Sequence, residues 1–160
     1  MITSESVSAA ELASLPLFAG LDVADLEGLA SGSSRRRLED GETLVDAGSS
    51  ISEVHWLERG KLALRVRYDN RWILVSTIHA GDLLGWSALR EEPKALSTAR
   101  AIGPAVLISM PASGLLSLLA GGSVNSELLL RRLFGIATQH LDESRAQLLQ
   151  LGREGVISAG

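Results

Sequence analysis

The chain has 160 residues, a formal net charge of −4 at pH 7 and no cysteine. That length suits one domain, or one domain with a helical appendage. The lack of cysteine excludes disulfides, thiolate metal sites and a cysteine nucleophile, and the acidic balance argues against a dedicated nucleic-acid surface. The N-terminus has no basic stretch followed by an apolar run, and no window is apolar enough to span a bilayer. We therefore expect a cytoplasmic protein with no membrane partner.

Residues 1–32 predict a helical lead-in. Leu12 and Leu15 share one face of a first short helix, which Pro16 ends. Asp22 stands at the N-cap of a second helix over residues 23–30. The apolar face of this second helix predicts that it packs on the rest of the domain.

Residues 33–111 predict an antiparallel β structure. Short β-rich runs alternate with turn signals, which favours a sandwich or barrel over a layout of alternating strands and helices. Leu62, Leu64 and Val66 alternate with more polar positions, as in a strand with one dry face and one wet face. The predicted strands cover residues 43–45, 53–57, 62–66, 72–78 and 105–110.

Residues 112–160 predict two helices, broken at Gly121 and Gly122. The second is the longest periodic segment of the chain, from Ser123 or Asn125 to near Leu151. Its apolar stripe recurs at alternating spacings of three and four residues, which favours a homodimer through this helix or a helix that folds back on the β structure. The positions of the stripe are Phe134, Ala137, Leu141, Leu148 and Leu151, interrupted by the polar Ser144.

The segment 81–101, GDLLGWSALREEPKALSTARA, has the layout of a loop that grips a phosphate group. It resembles the cassette of the cyclic nucleotide-binding domain family, which runs F-G-E-L-A-L, a spacer, then P-R-A-A-T-V-x-A. The matching positions are Gly85, Ala88, Leu89, Thr98 and Ala101. The resemblance implies a catabolite-activator-like sensor domain: an antiparallel β-roll of the jelly-roll or double-stranded β-helix type, with N-terminal helices and a long C-terminal helix.

Two positions of this cassette depart from the family pattern. Trp86 stands where the resemblance implies a Glu that binds the ribose, and Ala95 stands where it implies an Arg that binds the phosphate. Removal of one partner of a buried hydrogen-bonded charge pair costs about 2–5 kcal/mol, and each ~1.4 kcal/mol is a tenfold change in affinity. We therefore expect weak or no binding of cyclic AMP and cyclic GMP.

Other residues of the segment remain candidates for ligand binding. Ser87, Ser97 and Thr98 carry hydroxyl groups that donate to an anion or a water molecule, or are satisfied locally. Lys94 replaces the missing Arg if the alignment takes a one-residue gap. Trp86 either fills the space of the sugar and closes the pocket, or stacks its ring on a planar or apolar ligand. Gly85, Ala88 and Ala95 complete the candidate site.

The remaining polar residues favour a protein that is not an enzyme. The three histidines are far apart in sequence, and we interpret His55 as a strand residue. Neither a metal-binding motif nor a catalytic grouping is present, which disfavours an enzyme of the cupin type, and no cofactor is expected. The run Arg35-Arg36-Arg37 is interpreted as a strand edge with alternating exposure.

These patterns predict a stand-alone, divergent regulatory domain of the cyclic nucleotide-binding type, which acts through a ligand or a protein partner. Two alternatives stay open: a true cyclic nucleotide sensor that uses backbone donors and Lys94, or the sensor fragment of a transcription regulator. Too few residues follow the long helix for a module that reads DNA, so we expect no DNA binding by this chain alone.

Overall fold

The computed structural model describes residues 4–153, which form a β-roll flanked by helices. The strands are β1 Ser4–Ser6, β2 Ser34–Leu38, β3 Thr43–Val45, β4 Glu53–Tyr68, β5 Arg71–His79, β6 Leu83–Leu84 and β7 Thr98–Pro111. The helices are α1 Ala9–Ala13, α2 Val23–Ser31, α3 Ala112–Ala120 and α4 Val124–Arg153, with 3₁₀ turns at Pro16–Phe18 and Trp86–Leu89.

All strand pairs are antiparallel, and the long strands β4 and β7 organise the sheet. The order along the sheet is β1–β2–β7–β4–β5, with β3 also paired to β7 and β6 to β4. The β4–β7 register shifts on either side of Arg59. Gly60 has φ +91°, and a Cβ there would lie 2.5 Å from the carbonyl oxygen of Pro104, so only glycine allows the two strands this approach. The predicted β-roll with flanking helices is confirmed.

The two faces of the sheet bury separate cores. The inner core consists of strand residues, among them Leu57 and Leu107, which are directly paired and fully buried. The outer core joins the other face of the same strands to the helices through residues such as Trp56, Ile108 and Leu12. Because alternate residues of a strand point to opposite faces, neighbours in β4 belong to different cores.

The N-terminal segment carries a strand that the sequence did not predict. β1 pairs with β2, with Glu5 opposite Arg35. The next helix, α1, begins at a capping box in which the Ser8 hydroxyl accepts from the backbone N–H of Glu11 and the Glu11 carboxylate accepts from the backbone N–H of Ser8. Asp22 does occupy the N-cap position of α2, but its side chain makes no capping hydrogen bond.

The 30-residue helix α4 has a packed half and an exposed half. Ser126, Leu129 and Leu133 are buried against the body of the domain, whereas every residue from Leu141 to Arg153 is exposed. Within residues 4–153, no helix is both long and apolar enough to cross a bilayer.

Candidate functional site

A mostly apolar cavity of about 220 Å³ opens at one end of the β-roll. Strands β3 to β7 contribute to its walls, the 3₁₀ turn Trp86–Leu89 forms its rim, and His140 of α4 reaches it from the helix. The apolar residues that line it are Val45, Ile51, Leu64, Ile78, Leu83, Leu84, Ala95, Leu96 and Ala99. The polar side chains that line it include Glu53, His55, Ser87 and Ser97.

Gly85 shapes the rim of the cavity because its backbone is left-handed. It has φ +88° and precedes the 3₁₀ turn. A Cβ at this position would come within 2.8 Å of the carbonyl oxygen of Glu53, a contact that neighbouring backbone cannot relieve. A side chain here would therefore be strained twice, by conformation and by contact.

Trp86 lies at the rim and joins the cavity to α4. Its indole Nε1 donates to the carbonyl oxygen of Leu83 at 3.1 Å, so its single hydrogen-bond donor is used within its own turn. The ring meets His140 edge to face, with centroids 6.1 Å apart and an interplanar angle of 68°. An indole has no acceptor for a ribose hydroxyl, so this side chain cannot replace a carboxylate.

Ala95 presents only a methyl group to the wall of the cavity. The residue is buried, and its backbone is held by the N–H of Ala95 to the oxygen of Ser49 at 2.9 Å and by the N–H of Gly48 to the oxygen of Ala95 at 2.7 Å. Among the described residues that line the cavity, none is a lysine or an arginine. The cavity wall therefore supplies no positive charge of its own to a phosphate.

The other sequence-predicted site residues are only partly brought together. Ser87 and Ser97 line the cavity, and neither hydroxyl group bonds to another residue within 4–153. Ala88 is buried in the outer core, and the Thr98 hydroxyl oxygen accepts from the backbone N–H of Ala47 at 3.0 Å. Lys94 is exposed and is not among the lining residues.

His55 is a lining residue that the sequence interpretation did not assign to the site. It lies in β4, as expected, but on the inner face and directly opposite Ser109 of β7. Its Nδ1 lies 2.8 Å from the hydroxyl oxygen of Ser109. Burial lowers the pKa of His55 to about 4, and the positive charge of Arg36 acts in the same direction.

Glu53 is the acidic member of the lining, and it is compensated by an arginine. Its carboxylate accepts from Arg36 Nη1 at 3.3 Å, and both side chains are partly exposed. Arg36 lies in β2 opposite Leu107, on the inner face of the sheet. Within residues 4–153, no group of three or more histidine, aspartate or glutamate side chains could hold a metal ion.

The predicted dimer residues lie on the outward side of α4. Phe134 is 69% exposed, and Leu141, Leu148 and Leu151 are exposed as well. Ala137 is also exposed. Phe134, the most exposed of the large apolar residues among them, lies one residue after the buried Leu133 and so about 100° from it around the helix axis.

The sequence profile of the cyclic nucleotide-binding domain matches residues 35–121, more than half of the chain. This match spans β2 to α3 and so includes the strands around the cavity. A search of curated protein sequences found no significant match.

Solved structures of several bacterial proteins share the fold. A cyclic nucleotide-binding domain from Methylobacillus flagellatus has a TM-score of 0.76 at 15% identity, over 93% of this chain and 88% of that one. A putative cyclic nucleotide-binding protein from Geobacter metallireducens has a TM-score of 0.68 at 18% identity, over 84% and 98%. The N-terminal domain of a transcriptional regulator from Streptomyces coelicolor has a TM-score of 0.60 at 21% identity, over 92% and 95%.

Proposed function

The chain belongs to the cyclic nucleotide-binding domain family. We propose that it is a regulatory domain that responds either to a protein partner or to a ligand that is neither cyclic AMP nor cyclic GMP. In this proposal it has no catalytic role and binds either cyclic nucleotide weakly or not at all. It works as a homodimer through α4.

The observation that carries this proposal is that no lysine or arginine lines the described cavity. Ala95 and Trp86 stand at the positions of the two charged family residues, and both line the cavity. A cyclic phosphate would have to leave water without a cation to compensate it, and desolvation of an ion costs several kcal/mol. Glu53 on the same wall is paired with Arg36, so that arginine is already engaged by a carboxylate.

The alternative of a true cyclic nucleotide sensor depends on Lys94, and the position of Lys94 supports it poorly. Its side chain is exposed, and the backbone around it pairs with Ser50 at an isolated bridge. A lysine would also offer a point charge where the family uses a planar fork. If the chain binds a cyclic nucleotide through Lys94, the variant Lys94→Ala loses that affinity.

A route from the cavity to a dimer runs through α4. His140 lines the cavity and contacts Trp86 at its rim. One turn further along the same helix, the residues are exposed. A ligand that moves Trp86 would therefore shift the contact that holds α4 at its midpoint, and a shift of this kind changes how a second copy packs on the exposed half.

A second copy of the chain is the partner that best fits the exposed face of α4. Leu130, Phe134, Leu141 and Leu148 are each at least half exposed, and they recur at spacings of four and seven residues. Such a stripe is the seam of a two-helix coiled coil. Large apolar side chains in this pattern are costly in water unless a partner covers them.

Isothermal titration calorimetry tests the ligand part of the proposal. We expect no measurable heat from cyclic AMP or cyclic GMP at tens of micromolar protein, and binding at micromolar affinity or tighter would overturn it. The variant Ala95→Arg restores a cation and should raise the affinity for cyclic AMP by about thirtyfold or more. Ala95→Met is the matched control, because it adds bulk without charge and should give no gain.

Light scattering at the same protein concentration tests the dimer. We expect twice the monomer mass for the unmodified chain, and a monomer for Phe134→Arg. Leu149→Arg is the control, because Leu149 is as exposed as Phe134, at 68% against 69%, but lies off the stripe. A monomeric mass for the unmodified chain would reject this part of the proposal.

A further inference from the structure

His55 places a buried imidazole ring at the wall of the cavity. The residue is 6% exposed and lies on the inner face of the roll, between Ser109 of β7 and Leu84 of β6 in register. The only hydrogen bond of its side chain within the described residues joins Nδ1 to the Ser109 hydroxyl oxygen at 2.8 Å. Burial keeps the pKa of the ring well below 7, so the imidazole is neutral at that pH.

The partner of Nδ1 decides which ring nitrogen carries the proton. Ser109 is 0% exposed, and its hydroxyl group has no other partner among residues 4–153. If Nδ1 donated to this oxygen, the hydroxyl hydrogen would be buried without an acceptor, which costs about 1–3 kcal/mol. The Ser109 hydroxyl group therefore donates to Nδ1, and the proton of the neutral ring is on Nε2.

The Nε2–H group is left for whatever occupies the cavity. No buried side-chain nitrogen or oxygen within the described residues lacks a hydrogen-bond partner, so the unpartnered Nε2 must be open to the cavity that His55 lines. Gly85 keeps this edge of the ring clear. A Cβ there would lie 3.4 Å from Cδ2, the ring carbon bonded to Nε2.

The charges around the ring select the ligand. Glu53 is already compensated by Arg36, and no lysine or arginine lines the described cavity. An anionic ligand would meet a carboxylate without a free cation, and a cationic one would meet the donor Nε2–H and the nearby Arg36. A buried ion without a partner costs several kcal/mol, whereas a neutral acceptor satisfies Nε2–H without that cost.

We infer that the cavity binds a small neutral molecule, with an apolar body against Leu64, Ile78 and Leu84 and a carbonyl-type oxygen that accepts from His55 Nε2. This inference rests on the proposed function and names the ligand class of the same site. The cavity volume of about 220 Å³ is below the ~300 Å³ at which pockets for drug-sized ligands begin, so the molecule is small.

Three probes of similar shape separate the possible ligand classes: acetophenone is neutral with a carbonyl group, benzoate is its anionic counterpart, and ethylbenzene has no acceptor. We expect NMR titrations to show acetophenone binding about fivefold more tightly than ethylbenzene, as one net hydrogen bond implies, and benzoate binding more weakly than either. Benzoate as the tightest probe, equal affinities for acetophenone and ethylbenzene, or no binding by any probe would each overturn the inference.

Two further measurements place the bond at His55. In the unmodified chain, ¹⁵N-resolved NMR should show the proton on Nε2, and acetophenone should shift that resonance; a proton on Nδ1 contradicts the inference. The variant His55→Leu should bind acetophenone only as tightly as ethylbenzene, whereas His79→Leu, at an exposed histidine of β5, should change neither affinity. The tautomer measurement needs no variant, so it stands even where His55→Leu does not fold.

The same titrations separate the failure of this inference from that of the proposed function. Micromolar binding of cyclic AMP would overturn the proposed function whatever the three probes do. Failure of all three probes together with failure of cyclic AMP would overturn the neutral-ligand inference alone and leave a domain that responds to a protein partner.

Discussion

The two faces of the sheet differ in whether their polar groups have hydrogen-bond partners and whether their volume is filled by side chains. On the outer face, Arg35 donates to Glu58 through Nε and Nη2 and to Glu11 through Nη1, so one side chain joins β2, β4 and α1. On the inner face, the core ends in a cavity where His55 keeps one nitrogen unpartnered. A face that only supports the fold has no reason to leave such a group open, so the contrast locates the site.

The largest expected effect is on the free energy of unfolding, and it distinguishes the packed part of the inner face from the cavity. Leu57 is 0% exposed, and its replacement by alanine should lower the free energy of unfolding by about 2–5 kcal/mol. Leu64 lines the cavity and is half-buried, so Leu64→Ala should cost less than about 2 kcal/mol because fewer contacts are lost. Urea denaturation measures both, and equal losses would mean that the cavity is not preformed.

The next effect is the pH dependence that His55 gives to stability. The pKa of its ring is about 4 in the folded chain and near 6.5 when unfolded. As the pH falls from 6.5 towards 4, the unfolded chain takes up a proton that the folded chain does not. The free energy of unfolding should therefore fall over that window, by about 3 kcal/mol.

Urea denaturation at several pH values measures this effect as a difference between variants. Carboxyl groups also titrate in the window, so the relevant quantity is the slope of the unmodified chain minus that of His55→Leu. His79→Leu is the control and should keep the full slope. Identical slopes for the unmodified chain and His55→Leu would contradict a buried, neutral ring.

The elements of the fold were largely predictable from the sequence because their signals are local. The periodicity of residues 123–151 predicted α4, and the turn signals separated most of the strands. The predicted runs 53–57 and 62–66 are one strand, β4, because Gly60 lets the chain pass a register shift without ending. β1 was missed because Ser4–Ser6 carries no apolar residue, and its place depends on pairing with β2.

The cavity was less predictable than the fold. Family resemblance pointed to Gly85, Trp86 and Ala95, and all three line it. His55 was interpreted only as a strand residue, although strand alternation puts it on the same face as Leu57. The sequence does not indicate that the strands curve around this face to enclose a cavity, or that Ser109 lies opposite His55. Those contacts join residues 54 positions apart, beyond the reach of periodicity.

A smaller effect separates an alanine of the cavity wall from an alanine of the inner core. Ala95 lines the cavity, whereas Ala105 is 2% exposed in the packed inner core. Ala95→Val should fill part of the empty volume and raise the free energy of unfolding by about 1 kcal/mol, while weakening acetophenone binding. Ala105→Val should instead destabilise by about 1–3 kcal/mol through overpacking. Thermal unfolding and the acetophenone titration measure both, and destabilisation by Ala95→Val would contradict an open cavity.

The smallest effect concerns the outer face and tests whether the hydrogen bonds and ion pairs of its polar groups stabilise the fold. The backbone N–H and hydroxyl of Ser8, and then Arg35, lower the pKa of the partly exposed Glu11 to about 2. Because the folded value lies below the unfolded one of about 4.3, the stabilisation is present at neutral pH and is lost as the pH falls from about 4.3 towards 2. Glu11→Gln should remove this dependence and lower the urea midpoint at pH 7 slightly.

Glu27 provides the comparison for Glu11, because it is exposed on α2 and makes no hydrogen bond or ion pair within residues 4–153. Glu27→Gln should leave both the midpoint and the acid dependence unchanged. If both variants behave alike, the capping box and its link to Arg35 add nothing in solution. The outer face would then owe its stability to apolar packing alone, and its polar groups could no longer be contrasted with the open nitrogen of His55.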